Sequence, residues 1–289
     1  MTQSIRQLKA LVPAPLRPTV SAALNFARRE CDRWVYERPN SGFRRRVAAR
    51  ATLKDFATIV GKLLSDGVVI IPDHFSAGRL AELREEFERL VASNPPGHGE
   101  ETNAVHVPTG RIAESLVFSA LAFEQDFIDV AEYYWGKNVV LTATGGTRLD
   151  SYDAAEDYGS YQWHHDGKRK QLRVMIILTD VLPGGQHMDY VAGSHRKFRH
   201  DIGDSRVAPE VALNAGACVS CTGPAGSIVF FDTNGYHRGN RNLGPKRDHW
   251  QFTYRAPGGM ALEHRPPLPL HPEVAGRLTA EQRRIARLP

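Results

Sequence analysis

A chain of 289 residues, 42% hydrophobic and 24% charged, is long enough to bury a core and could be divided into one large or two small domains. No apolar run approaches the ~20 residues that span a bilayer, and the first residues lack a secretory signal pattern, so a cytoplasmic protein without a transmembrane helix is expected. The formal charge of +5 is uneven: residues 1–50 hold eleven Lys or Arg against three Asp or Glu, a local +8 that leaves −3 for the remainder.

The basic segment is densest at Arg44-Arg45-Arg46. It carries no known nucleic-acid motif, so nucleic acid is not an expected partner, while weak contact with an anionic surface suits its charge. Cys31, Cys218 and Cys221 are too few, and odd in number, for a disulfide framework. Cys218 and Cys221 have C-x-x-C spacing but lead into a Gly-Pro turn and a strand, so they read as two buried thiols.

Along the chain, residues 20–37 predict a short amphipathic helix ending at the break Pro39-Asn40-Ser41-Gly42. Thr52 and Asp55 form a capping-box-like start to a helix carrying Phe56, Ile59, Val60, Leu63 and Leu64, which Gly67 ends. Val68–Ile71 predicts a buried strand stopped by Pro72, and Ser76 caps a second helix with Leu80, Leu83, Phe87, Leu90 and Val91 on one face. The stretch 93–111, rich in Pro, Gly and polar residues, predicts a long loop holding His98 and His106. A helix broken once over 113–135 follows. Short strands are then predicted at 139–149, 161–166, 172–179, 187–191, 217–221, 227–232 and 249–255, with Gly or Pro between most of them, and a last helix starts at the pair Thr279 and Gln282. Helices followed by seven or eight strands predict a mainly β fold of two sheets backed by N-terminal helices.

One constellation carries chemistry. His164 and Asp166 form a His-x-Asp pair, and side chains two apart on a strand project to the same face. With His237, just past an apolar strand, they make two imidazoles and one carboxylate, the set that favours Fe(II) and leaves adjacent coordination positions open. Ten residues on, Arg247 offers a planar bidentate fork for a carboxylate, where Lys246 offers a point charge.

These residues, with Trp163-His-His-Asp166, Gly193-Ser-His195, Gly226-Ser-Ile-Val-Phe-Phe-Asp232, His237-Arg-Gly239 and the start at Asp66–Pro72, resemble the phytanoyl-CoA dioxygenase family of Fe(II)- and 2-oxoglutarate-dependent oxygenases. The resemblance covers about residues 52–256. It implies a double-stranded β-helix, a jelly-roll or cupin-like barrel, with iron on His164, Asp166 and His237, 2-oxoglutarate held by Arg247, and O2 as the other cosubstrate. The implied organisation is a basic helical arm over 1–50, the oxygenase domain over 51–256, and a tail with a short helix over 257–289. The implied reaction hydroxylates a C–H bond of a small molecule while 2-oxoglutarate is decarboxylated to succinate. Asp166 favours hydroxylation, since related halogenases carry a small residue there. Gly239 departs from the resemblance, because many relatives have serine two residues after the second histidine. Water, Asn240 or Thr253 are the replacements considered, and Arg255, on the same strand face as Arg247, is the reserve carboxylate ligand.

Among other residues, Trp163 and His165 are expected to face away from the metal, Arg148 and Gln162 are candidates for lining the pocket, and His187 is a candidate for approaching the substrate. His195 is not expected to be a ligand. The overall basicity leans toward an acidic substrate. A metal-binding barrel without turnover, and a surface- or nucleic-acid-binding protein acting through its basic arm, are the alternative functions.

Overall fold

The computed structural model describes residues 38–94, 104–150, 159–166, 170–196, 205–240, 244–257 and 266–289, with a few isolated positions before residue 38. The helix expected over 20–37, Cys31 and His98 lie outside the described residues. The first described helix, α1 (Ser41–Arg50), starts where Asn40 accepts the Phe43 N–H at 2.9 Å. Then come α2 (Phe56–Asp66), β1 (Val68–Ile71) and α3 (Ala77–Ala92), the last capped by Ser76 as the sequence predicts. The Thr52–Asp55 cap is not formed: Asp55 is itself the N-cap, in the left-handed region at φ 58°, and makes no side-chain bond. Gly67 ends α2 at φ 80°, where an added Cβ would stand 2.3 Å from His195 Nδ1, so the turn into β1 requires glycine.

The expected loop ends early. Residues 104–107 form a strand, β2 (Ala104–Val107), that carries His106. The broken helix resolves into α4 (Leu116–Leu121) and α5 (Gln125–Trp135), and β3 (Val140–Leu149) follows. The remaining strands are β4 (Leu172–Ile177), β5 (Met188–Val191), β6 (Cys218–Cys221), β7 (Ile228–Asp232), β8 (His237–Gly239) and β9 (Arg247–Arg255), with a short helix α6 (Pro209–Leu213) between β5 and β6. The chain closes with α7 (Pro272–Arg277) and α8 (Ala280–Ala286), whose Thr279 and Gln282 bond reciprocally as a capping box.

The strands form an antiparallel six-stranded sheet, ordered β1-β7-β4-β9-β3-β2, and a three-stranded sheet, ordered β6-β5-β8. Strand alternation sorts the large sheet into two faces. Val174, Ile176, Phe230, Trp250 and Phe252 face the helices, packing with Leu63, Phe87, Phe118 and Phe127. Phe118 stacks on Trp250 at 3.8 Å. On the opposite face Met175, Ile177, Val229 and Phe231 meet Met188, Tyr190 and Cys221 of the small sheet, so the sheets pack against each other. That inner face also carries the odd-numbered residues of β9, from Arg247 to Arg255. Cys218 is exposed and Cys221 buried, because residues three apart on a strand point to opposite faces.

Both ends of the described chain dock on α5. Arg44 donates to the carbonyls of Tyr133 and Tyr134 at 2.8 and 2.9 Å, a cation at a helix C-terminus. Arg50 from α1 and Arg284 from α8 both pair with Glu132, at 2.8 and 3.0 Å, and Arg50 also pairs with Asp129 at 2.8 Å. Both carboxylates are buried. No described helix is long and apolar enough to cross a membrane.

Candidate metal centre

The strand predicted over 161–166 is absent as a regular element. A 3-10 turn at Gly159–Tyr161, with Gly159 at φ 54°, is followed by single bridges from His164 to His237 and to Arg206. The alternation nonetheless survives in the backbone bonds. His164 and His237 exchange N–H donors for carbonyls at 3.0 and 2.9 Å, and the Asp166 N–H donates to Thr233 at 2.9 Å. His165 turns the other way, its N–H donating to Ser205 at 3.1 Å.

His164, Asp166 and His237 converge, with one donor atom from each lying within 4.8 Å of the others. His164 Nε2 and His237 Nε2 stand 3.6 and 3.7 Å from the same oxygen, Asp166 Oδ1. Each imidazole is held from behind: Nδ1 of His164 lies 2.7 Å from the Gln162 carbonyl, and Nδ1 of His237 lies 3.0 Å from that of Gly235. A carbonyl only accepts, so both Nδ1 atoms carry a proton and both Nε2 atoms face the centre. Burial pushes His237 down to about 4, against the opposing charge of Asp166, which keeps the imidazole neutral and able to ligate. Burial opposes ionisation of Asp166, but Arg173 and the two histidines outweigh it and hold the carboxyl below the usual range. Two imidazole nitrogens and one carboxylate oxygen converging on a point suit a divalent iron.

Arg247 lies on the inner face of β9, 7% exposed, with Nε and Nη1 buried and unpartnered among the described residues. Burial pushes its guanidinium down to about 10, with the nearest compensation from Tyr161 and Cys221. An orphaned buried cation of this kind fits an anionic ligand. His249, two residues on and on the same face, is also buried with Nδ1 unpartnered among the described residues. Gly239 faces the buried Tyr161 ring: a Cβ there would stand 3.2 and 3.3 Å from ring carbons Cδ1 and Cε1, so the tyrosine fills the space a serine would need. Asn240 is turned away, its amide 3.0 Å from His187 Nε2.

Residues 63–249 match the phytanoyl-CoA dioxygenase (PhyH) family. The chain belongs to that family. Among curated relatives, the ectoine dioxygenase of Stutzerimonas stutzeri (strain A1501) is 26% identical over 222 residues, covering 65% of this chain and 72% of its own length. Among solved structures, the epimerase SnoN in complex with Fe3+, alpha ketoglutarate and nogalamycin RO superposes with a TM-score of 0.59 at 22% identity, covering 73% of this chain and 90% of that one. EctD from S. alaskensis with bound Fe gives a TM-score of 0.57 at 22% identity, covering 69% and 76%.

Within this PhyH-family chain several expected pocket residues lie elsewhere. Arg148 turns to the helix side, where it pairs with Asp248 at 2.7 Å and with Glu88, because its register on β3 sets it opposite Asp248. His187 pairs with Asp189 at 3.0 Å on the outer face of the small sheet. Gln162 contributes its backbone carbonyl, as described above. His195 is a neighbour of Gly67 and does not approach the triad. Trp163 packs with Val191, Ala212 and Tyr236, under the Arg238 guanidinium. The reserve candidate Arg255 lines a cavity beside Asp166, at the opposite end of β9 from Arg247.

Arg173 was not anticipated from the sequence. Its Nη2 lies 2.6 Å from Asp166 Oδ2, the oxygen not directed at the histidines. A legible signal existed: a lone arginine in the apolar run Leu172–Ile177 must meet an anion if it points inward.

Proposed function

We propose that this PhyH-family chain is an Fe(II)- and 2-oxoglutarate-dependent dioxygenase that hydroxylates a C–H bond of a small molecule. The observation that carries the reading is the convergence of His164, Asp166 and His237, backed by the buried, unpartnered guanidinium of Arg247. The two face-to-face sheets support the finer reading of the fold as a double-stranded β-helix.

Iron bound with 2-oxoglutarate and O2 would supply the oxidation, converting C–H to C–OH as 2-oxoglutarate leaves as succinate and CO2. In this reading His164, Asp166 and His237 hold the ion on one side and leave the other for ligands. Gln162 and Gly235 fix the imidazole tautomers. Asp166 occupies a coordination position that a halide would otherwise need, which favours hydroxylation. Arg247 would receive the distal carboxylate of 2-oxoglutarate through its guanidinium N–H donors. Its charge is desolvated before the ligand arrives, so binding relieves an existing penalty.

The test is succinate formation by purified protein given Fe(II), ascorbate and 2-oxoglutarate, which should require iron and be abolished by Asp166→Ala. Unchanged turnover in that variant would dispose of the triad. Succinate release is also the readout for a metabolite screen to find the substrate.

A further inference from the structure

Arg247 shares the inner face of β9 with a second buried polar group. His249 stands two residues further along, 7% exposed, and its Nδ1 is buried without a hydrogen-bond partner among the described residues. Buried polar atoms are nearly always paired, because an unpaired one gives up its hydration and gains nothing in return.

The register of the sheet explains why this nitrogen is left over. On one side Ile177 of β4 lies opposite His249, and an aliphatic chain has no hydrogen-bonding group to offer. On the other side lies Thr147 of β3, whose hydroxyl is 3.2 Å from Nδ1 of His106 on β2. Burial, joined by the charges of Arg247, Arg173 and His106, holds the imidazole well below its usual range, so His249 is neutral. A neutral imidazole has one N–H to donate.

Its place along the strand gives that donor a use. Arg247 opens β9, and Arg255 closes it beside Asp166. His249 therefore stands one step in from Arg247 toward the metal end, about 7 Å along the strand. Both Arg247 and Arg173, the arginine that holds Asp166, act on its imidazole. A ligand that reaches from the metal to Arg247 runs along the face that carries His249.

Resting on the oxygenase reading, we infer that His249 is a second cosubstrate-binding residue, whose Nδ1–H donates to the distal carboxylate of 2-oxoglutarate beside the Arg247 guanidinium. A carboxylate has about four acceptor sites, more than one edge of a guanidinium fills. It only accepts, so its arrival selects the tautomer protonated at Nδ1. The cation supplies the attraction, and the neutral donor adds direction without adding charge.

The experiment loads the full chain anaerobically with Fe(II) and titrates it calorimetrically with 2-oxoglutarate and with oxalate, which chelates a metal but carries no distal carboxylate. The visible absorption of iron-bound 2-oxoglutarate is recorded alongside. His249→Phe keeps a ring and removes the donor, and it should weaken 2-oxoglutarate about tenfold or more while leaving oxalate unchanged. His249→Asn, whose amide nitrogen can take the place of Nδ1, should recover part of that loss. His249→Leu is a second donor-free variant, used in place of His249→Phe if the larger ring blocks folding, and the same result is expected. Unchanged 2-oxoglutarate affinity in a folded donor-free variant would overturn the inference. An equal loss for 2-oxoglutarate and oxalate would also overturn it, making His249 a structural residue, and absence of any recovery in His249→Asn would remove Nδ1 as the donor. Absence of the chelate absorption from the wild type would instead sink the oxygenase reading on which the inference rests.

Discussion

Arg173 holds the outer oxygen of Asp166 at 2.6 Å and leaves Oδ1 alone to face His164 and His237. A carboxylate tethered in this way binds a metal through one oxygen, in a fixed orientation. Groups that orient a ligand typically change metal affinity about 10–100-fold when removed. Arg173→Ala is therefore expected to weaken Fe(II) retention by about that range, measured by competition with a chromogenic chelator. Unaltered iron affinity would show that Asp166 is oriented by other contacts.

Arg247 makes a two-sided prediction. Its guanidinium is buried with two unpartnered nitrogens, so replacing it with an apolar side chain of similar length removes a penalty in the ligand-free protein. Arg247→Met should raise the melting temperature of the protein without 2-oxoglutarate. The same variant should lose the stabilisation that 2-oxoglutarate confers on the wild type, about 2.7 kcal/mol at a hundredfold excess over Kd. Loss of one partner of a desolvated pair costs about 2–5 kcal/mol, an increase of about 30-fold or more in the 2-oxoglutarate requirement. A variant destabilised in the ligand-free state would contradict the assignment of Arg247 as a preformed, waiting cation.

Much of the layout was legible in the sequence because it rests on local periodicity. Leu83, Phe87, Leu90 and Val91 are buried on one face of α3, and seven of the eight predicted strands form close to their expected bounds. The exception, 161–166, lies at the metal itself, where Gly159 turns the chain and tertiary bonds from Thr233 and His237 replace a strand partner. His164 and Asp166 still share a face because those bonds impose the alternation that a ladder would have imposed. What stayed hidden was set by register between distant strands. The pairing of Arg148 with Asp248 across β3 and β9, which turns Arg148 to the helix side, and the reach of Arg173 to Asp166 depend on which residues are opposed, and no spacing within one segment encodes that. The fit of Tyr161 against Gly239 is of the same kind.

Asp189 is expected to make the small sheet acid-sensitive. Burial opposes its ionisation, but hydrogen bonds from His187 and Ser220 and the charge of Arg238 hold its carboxyl below the usual range. A depressed folded-state value contributes stability that is present above the unfolded value near 3.9 and lost as pH falls through the folded one. Asp189→Asn should lower the melting temperature at neutral pH, by the equivalent of about 1–3 kcal/mol, and flatten its fall below about pH 4. A variant with the wild-type acid limb would show that Asp189 is not the responsible group.

The ends of the chain are coupled through Glu132. Burial pushes its carboxyl up while Arg284 and Arg50 oppose that shift from two helices far apart in sequence. Arg50→Ala and Arg284→Ala should each destabilise by about 1–3 kcal/mol in urea unfolding. The double variant should lose more than the sum, because a buried carboxylate keeps one cation in each single variant and neither of these two in the double. Strict additivity would show that the two arginines act independently.

His164, Asp166 and His237 are proposed to hold iron, and Arg247 to hold 2-oxoglutarate beside it, an arrangement that can be titrated directly. Its most direct test is an anaerobic titration of the purified protein with Fe(II) and then 2-oxoglutarate, following the visible absorption of the chelate. The prediction is one iron per chain and one 2-oxoglutarate per iron, with the absorption absent in Asp166→Ala at iron concentrations that saturate the wild type, and appearing in Arg247→Met only at much higher 2-oxoglutarate. A chelate that forms equally well in both variants, or none in the wild type, would contradict it.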